Sequence, residues 1–450
     1  MIATLTIWKA RHANRLFMTA MTDPAASADS AALADSPFTR TRLAIAILAV
    51  LAMLAIVSAI FFQAPQLVGA TKILTDYDAF HVAGRLALEG RADDAYRLES
   101  MFAAQEEFTG KRSFMPWTYP PPFTLFVAML ANLPVGVGFL LFTGLTFAFY
   151  LHVVHRIAGR FTPGVLMLML PTLLLLTRTG QNGFLTGGLI GMFLLAFLQR
   201  QPGAGLPLGL MVIKPHLAVG ITLMTLAERR WQSVMIAALT VITLLLAATA
   251  ALGPEVWSGF IDGIAESGTY LRDGYYPLFR MTSLYATAHT LGAGPGMAMV
   301  IQAAGALSAI AALLWLWRRG TSGNRLAAAI CCASLFISPY NYDYDLTILG
   351  LAIAFVLPEL AERTRPGEQT ALFVLTWIAT GYGLGVSITM PENSVVRLGD
   401  PESGARSLSL MAPMLLLVIA LATLALRRAP LGGPAQHDSD AQVQGRMPTA

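Results

Sequence analysis

Charge is what this chain has least of. Of its 450 residues only 12% are Asp, Glu, Lys or Arg, against the roughly 25% usual in soluble domains. That shortage excludes an ordinary water-soluble enzyme. Cysteine is confined to Cys331 and Cys332, adjacent within an apolar run. Side by side they can build neither a disulfide framework nor a zinc-ligand set, and they read as membrane-buried thiols. No Gly-rich phosphate loop, nucleophile elbow or metal-binding helix motif occurs. No internal repeat is visible at the level of residues.

What is present is apolar. Hydrophobic residues make up 55% of the chain and the mean hydropathy is +0.61. Apolar runs recur near the length of about 20 residues that a bilayer-crossing helix needs. The expectation is an all-α polytopic membrane protein with about 10–13 transmembrane or partly inserted helices and membrane lipids as its solvent. The net charge of +4 comes from short basic clusters between apolar runs. These read as topology signals rather than as a nucleic-acid surface. A polar stretch over 22–36 separates the basic 9–15 region from the first apolar run, so 1–42 is expected to be an uncleaved cytoplasmic leader rather than a signal peptide. Residues 43–428 form the membrane domain, and the Gly/Pro/Gln/Asp-rich 429–450 reads as a disordered cytoplasmic tail.

Arg40 and Arg42 precede the apolar run 43–62, which should enter from the cytoplasm. Residues 63–119 are then a first external loop with structure of its own. Thr75 or Asp76 can cap a helix running to Leu88 and stopped by Gly90. A second amphipathic piece over 95–108 ends at Gly110 and suits the membrane surface. The prolines of Trp117-Thr118-Tyr119-Pro120-Pro121-Pro122 force an extended entry into a short apolar piece, 123–133. It is either a half-helix that dips in and returns or a tilted span. Placing the basic clusters at 200, 229–230, 318–325, 362–365 and 427–428 in the cytoplasm closes consistently only for the dip. The same pattern puts 253–294 outside as a second large external loop. The run 206–227 is interrupted at Lys214-Pro215-His216, where Pro215 must break a helix, and such breaks survive in a membrane only where protein or water lines them.

Polar residues that could do chemistry gather on the external side. Asp76 and Asp78 are candidate catalytic carboxylates, with His81 beside them; a carboxylate there could act as general base, or Asp76 could simply cap its helix. Lys214 is an intramembrane lysine, functional by default, whose partner would be a phosphate unless it snorkels to the interface. His216 lies two residues on. Arg178 could pair with phosphate, and Gln181 and Asn182 could read sugar hydroxyls, although Gly180-Gln181-Asn182 would also serve as a tight turn. Tyr340, Asp343 and Asp345 sit in a Tyr/Asp-rich span end, where tyrosines also collect without any binding role. Tyr119 and Arg280 complete the set of candidate substrate-binding residues. No spacing demands a metal or other cofactor, and a divalent ion stays open.

Several of these stretches together resemble the integral-membrane glycosyltransferases of family 87, within the GT-C fold group. They are Thr75-Asp76 followed by a helix with Gly84 and Gly90; Ala95-Tyr96; Tyr119-Pro120-Pro121; Gly180-Gln181-Asn182; Lys214-Pro215; and Ser338-Pro339-Tyr340 leading to Tyr344-Asp345-Leu346. Met281-Thr282-Ser283-Leu284 departs from the family's Asn-x-Ser-Leu, and no histidine occurs over 343–345. The resemblance implies a GT-C-like enzyme that takes a sugar, often mannose, from a polyprenyl-phosphate donor and passes it to a lipid or glycan acceptor. Asp76 maps to the family's catalytic aspartate, and transfer would be a single inverting displacement on the external face of a bacterial-type inner membrane. The absence of nucleotide motifs agrees with a lipid-phosphate donor. The competing reading is a transporter or flippase for a lipid-linked or small polar solute, which would bind near the midplane between repeated halves.

Overall fold

The computed structural model describes residues 37–69, 72, 74–110, 114–390 and 400–431. Most of the expected leader and tail therefore lies outside the described residues. The chain is built from helices, and the pairing of Met281 with Tyr342 is an isolated β-bridge, with no strand among the described residues. Among the described residues six helices are long and apolar enough to cross a membrane and six more are shorter but apolar, twelve in all. This is an all-helical, multi-pass membrane fold of GT-C-like architecture.

Helix α1 (Thr41–Ser58) continues through a π-wound turn, Ala59–Gln63. The segment expected to be a first external loop follows with α2 (Asp76–Leu88) and α3 (Leu98–Thr109). Thr75 caps α2, its backbone N–H donating to Asp78 Oδ2 at 2.8 Å, half of a capping box. Gly90 and Gly110, at φ +74° and +73°, follow the two helices in the left-handed conformation that glycine adopts without strain.

Next come α4 (Pro121–Ala131), α5 (Val135–Ala158), α6 (Thr162–Leu168), α7 (Leu170–Thr179) and α8 (Gly183–Leu198). At 11 residues α4 is only about 17 Å long, roughly half of the ~30 Å hydrocarbon thickness, so it cannot cross alone. It lies against α2 instead. A Cβ on Gly84 would stand 2.5 Å from the Val127 carbonyl oxygen, which shows how closely the two backbones approach.

Then α9 (Gly205–Leu210) and α10 (Val219–Ala227) flank the expected break: two 3-10 turns, Met211–Ile213 and Pro215–Ala218, meet at Lys214 with φ −152° and ψ 68°. Helix α11 (Trp231–Leu252) leads to the segment expected to be a second external loop, which holds α12 (Glu255–Arg272) and α13 (Leu284–Thr290). The chain closes with α14 (Pro295–Arg318), α15 (Gly323–Ile337), α16 (Thr347–Arg363), α17 (Pro366–Thr389) and α18 (Met411–Leu426).

The core sits around α16. Buried residues fill 78% of the apolar window of the segment Asp343–Arg363, against 11% for α11. Helices α5, α8 and α15 pack on it. Gly183, Gly187 and Gly191 of α8 face its first turns: added Cβ atoms would come within 2.1 Å of Tyr344 O, 2.7 Å of Thr347 Oγ1 and 2.8 Å of Leu351 Cδ2. Small residues at a spacing of four let membrane helices meet at close range.

The α2–α4 contact yields a test. Gly84→Val must push the helices apart and should cost about 1–3 kcal/mol, lowering the melting temperature in detergent. Leu88→Val, at a position 45% exposed, should melt like the wild type. Equal melting of the two variants would show that α2 is not held by this contact.

Candidate active site

Helix geometry sorts the first-loop residues before any contact is measured. At about 100° per residue, Asp78 points some 200° away from Asp76, and His81 returns to the Asp78 side. The two carboxylates therefore have different surroundings. Asp78 is fully buried and pairs with Lys72, Nζ to Oδ1, at 2.7 Å. Its other oxygen accepts from the Thr75 backbone and hydroxyl at 2.8 and 3.0 Å. Lys72 also donates to the Phe62 and Gln63 carbonyls at 2.7 and 3.0 Å, while Gln63 Nε2 donates to Thr75 Oγ1 at 2.8 Å. This cluster staples the end of α1 to the start of α2. Burial raises the Asp78 pKa and lowers that of Lys72, and each charge offsets the other's shift. His81 joins the same side, its ring 5.5 Å from that of Phe108 and its Nδ1 buried without a partner.

Asp76 faces the other way, toward residues gathered from four distant segments. Burial raises its pKa above the ordinary 3.8; the Arg280 charge draws it back, the Asp343 charge adds to the rise, and polar contacts from Gln181 and Thr179 lower it. Asp76 enters no ion pair among the described residues, because Arg280 is committed to Asp343: Nε to Oδ2 at 2.9 Å and a terminal nitrogen to Oδ1 at 3.0 Å. That two-pronged pair uses only part of the guanidinium's five N–H donors. Burial works against the Arg280 charge, but the Asp343 and Asp76 carboxylates outweigh it and hold its pKa above the ordinary value. A Cβ on Gly383 of α17 would come within 2.5 Å of Asp343 Oδ2, so α17 walls this pair on one side.

Gln181 and Asn182 reach the site through Gly180, whose φ of +68° ends α7. A Cβ there would strike Phe139 and Tyr77 at 2.8 Å, which presses the turn against the start of α2. The Gln181 Oε1 accepts from the Tyr119 hydroxyl and the Asn182 backbone N–H, both at 2.9 Å. That fixes the amide's orientation and leaves its NH₂ for Asp76. Asn182 is fully buried with neither side-chain amide atom hydrogen-bonded. Tyr119 is held by the Tyr96 hydroxyl, which donates to its carbonyl at 2.8 Å. Burial, then the Asp345 and Asp76 charges, push the Tyr119 pKa well above 10.0, so this hydroxyl stays a donor.

The partner of Lys214 is a carboxylate of the chain itself. The break in α9–α10 delivers its Nζ to Asp345 Oδ1 at 2.5 Å, both side chains almost wholly buried. Asp345 Oδ2 accepts from the Tyr342 backbone at 3.1 Å, and the ammonium lies 4.5 Å from the Tyr344 ring, with Arg280 5.9 Å from that ring. Asp76, Tyr119, Gln181, Asn182, Lys214, Arg280, Asp343 and Asp345 are thus brought into one polar cluster. Arg178 turns instead over the Phe62 ring at 5.2 Å, and His216 keeps a buried, unpartnered Nε2. The Tyr340 hydroxyl donates to the Ser267 carbonyl of α12 at 3.2 Å, away from the carboxylates. Among the described residues no group of three or more His, Cys, Asp or Glu side chains is placed to hold a metal. Lys72 is a site neighbour that the sequence alone does not mark, and Tyr344 stands in it only as part of the Tyr344-Asp345-Leu346 stretch. A lone lysine between the first apolar run and the cap of α2 was the available signal for Lys72.

Residues 117–339 match the model of glycosyltransferase family 87. No curated protein and no solved structure matches the chain.

Two stability measurements follow from the buried charges. Asp345→Asn strands the Lys214 ammonium and should cost about 3–5 kcal/mol; adding Lys214→Met should restore most of it, a coupling that a denaturation cycle reads directly. Simple additivity would show that the pair is not coupled. His81 has its pKa lowered from 6.5 to about 4, by burial first and then by the Arg85 and Lys72 charges. The unfolded chain therefore binds the extra proton between those values, and stability should fall as pH drops from about 6.5 to about 4. His81→Phe should flatten the melting temperature over that window, and an unchanged slope would assign the acid sensitivity elsewhere.

Proposed function

The chain belongs to glycosyltransferase family 87 and is a membrane glycosyltransferase; from that premise we propose that it transfers a sugar, with mannose the first candidate, from a polyprenyl-phosphate donor to a lipid or glycan hydroxyl, using Asp76 as general base. The observation that carries the reading is the contrast among the clustered carboxylates. Asp343 and Asp345 each have a cation of their own, whereas Asp76 is left with a raised pKa and no ion pair. A base needs a free lone pair near the acceptor and a pKa closer to the working pH.

In the step proposed, Asp76 takes the proton of the acceptor hydroxyl as its oxygen bonds to the anomeric carbon. The bond from that carbon to the phosphate oxygen breaks with inversion, and the electron pair leaves on the lipid phosphate. Arg280 receives the growing charge through the N–H groups that Asp343 does not use, which is stabilisation where charge develops. Lys214 acts through Asp345, holding the Tyr342–Asp345 turn rather than meeting the phosphate first. Arg178, near the end of α1, is placed for the lipid phosphate on its way in. The amide of Asn182 suits sugar hydroxyls, while the Gln181 NH₂ is turned to Asp76. The arginine pattern of the loops supports an active face on the outside.

The test uses the full chain in nanodiscs with synthetic polyprenyl-phosphate-mannose, following release of polyprenyl phosphate. Asp76→Asn should lower transfer by at least about 100-fold, the lower bound for losing general-base catalysis. Because the ionised carboxylate is disfavoured where it sits, the neutral side chain should leave the melting temperature unchanged or higher. In the wild type the rate should fall on acidification through an apparent pKa above that of an exposed Asp. Near-normal transfer by Asp76→Asn would remove Asp76 from the mechanism.

A further inference from the structure

We propose that the slot enclosed by α14, α15, α16, α17 and α18 holds an anionic glycerophospholipid, its acyl chains in the slot and its phosphate on Arg319 and Arg427. The slot has a volume of about 830 Å³ and walls made mainly of side chains such as Ala309, Leu316, Ala328, Ile353 and Leu416. The slot is partly open along its side, so a molecule from the surroundings can enter and fill it. Water would find too few polar partners along it to be held there. Hydrocarbon is the filling its walls favour.

The charges at its ends decide which hydrocarbon. Arg319, Arg325 and Arg427 all line one end. Arg325 is neutralised by Glu359, with contacts of 2.8 and 2.6 Å. Arg319 lies 4.2 Å from the Trp315 ring, and neither it nor Arg427 has a carboxylate partner among the described residues. Both are exposed, where a head group could reach them. Basic residues between membrane helices recruit anionic lipid head groups. Toward the other end the lining is Leu284 and Phe336, and no cation waits there. Helix α15, at 15 residues, separates the arginine end from the 338–345 segment by about 22 Å. A donor whose phosphate sits at Arg280 would therefore present nothing to Arg319 and Arg427. A phospholipid entering from the arginine side satisfies both the walls and the mouth.

The experiment is native mass spectrometry of the full chain in mild detergent, supplied with dioleoyl phosphatidylglycerol or dioleoyl phosphatidylcholine. The wild type should retain the anionic lipid in preference to the zwitterionic one. Arg319→Gln with Arg427→Gln should weaken retention about 30-fold, the effect expected for two juxtamembrane arginines. Both residues are exposed, so this variant keeps the fold. Cys332→Phe, which places a ring among the slot's walls, should also abolish retention while leaving the arginines intact. Equal retention of both lipids, or unchanged retention in the arginine variant, would overturn the proposal. So would displacement of the phospholipid by polyprenyl phosphate, which would give the slot to the donor.

Discussion

A carboxylate taken out of water must have a cation, a proton or a set of donors, and that requirement organises the polar cluster of this protein. Asp343 and Asp345 are both completely buried at the head of the central helix. Their cations come from far along the chain: Lys214 from the break between α9 and α10, Arg280 from the connection between α12 and α13. Removing either cation would leave a charge stranded in a low-dielectric interior, a heavy penalty. Three carboxylates, counting Asp76, face two cations, and Asp76 is the one without an ion pair among the described residues, its pKa raised by burial.

The same pairs explain why the helix break exists. A continuous helix through 214 would have been the simpler way to fill the membrane. The non-helical backbone at Lys214 instead aims its side chain at Asp345, 131 residues further along. Pro215 supplies the interruption locally, while the partner that stabilises it comes from the tertiary fold. The glycines of α8 belong to the same arrangement, since any side chain at 183 would collide with the backbone that carries Tyr344.

How much of this was legible follows from the range of each interaction. The capped helix from Thr75 to Leu88, its stop near Gly90, the broken run at Pro215 and the short piece after the prolines were all readable, because their signals lie within a few residues. The opposite facing of Asp76 and Asp78 was also readable, since the two positions differ by a fixed angle on any helix. The pairing of Lys214 with Asp345 and of Arg280 with Asp343 was not, because no periodicity records a contact across 131 or 63 residues. Lys214 was therefore expected to await a phosphate, when its charge is already met within the chain. The partners of Lys72 lie within ten residues of it, but on two different helices whose meeting no local pattern records.

Through Lys72, the last turn of α1 and the first turn of α2 behave as one piece. Lys72 grips two carbonyls of the π-wound end and the Asp78 carboxylate together. The segment Thr41–Gln63 has 23 residues, or about 34 Å of helix, slightly more than the hydrocarbon layer it would cross. A helix in that position meets a thinner or thicker bilayer by changing its tilt. With no slack at the Lys72 joint, the tilt would be passed on to α2, and the height of Asp76 above the lipid would follow the thickness of the membrane.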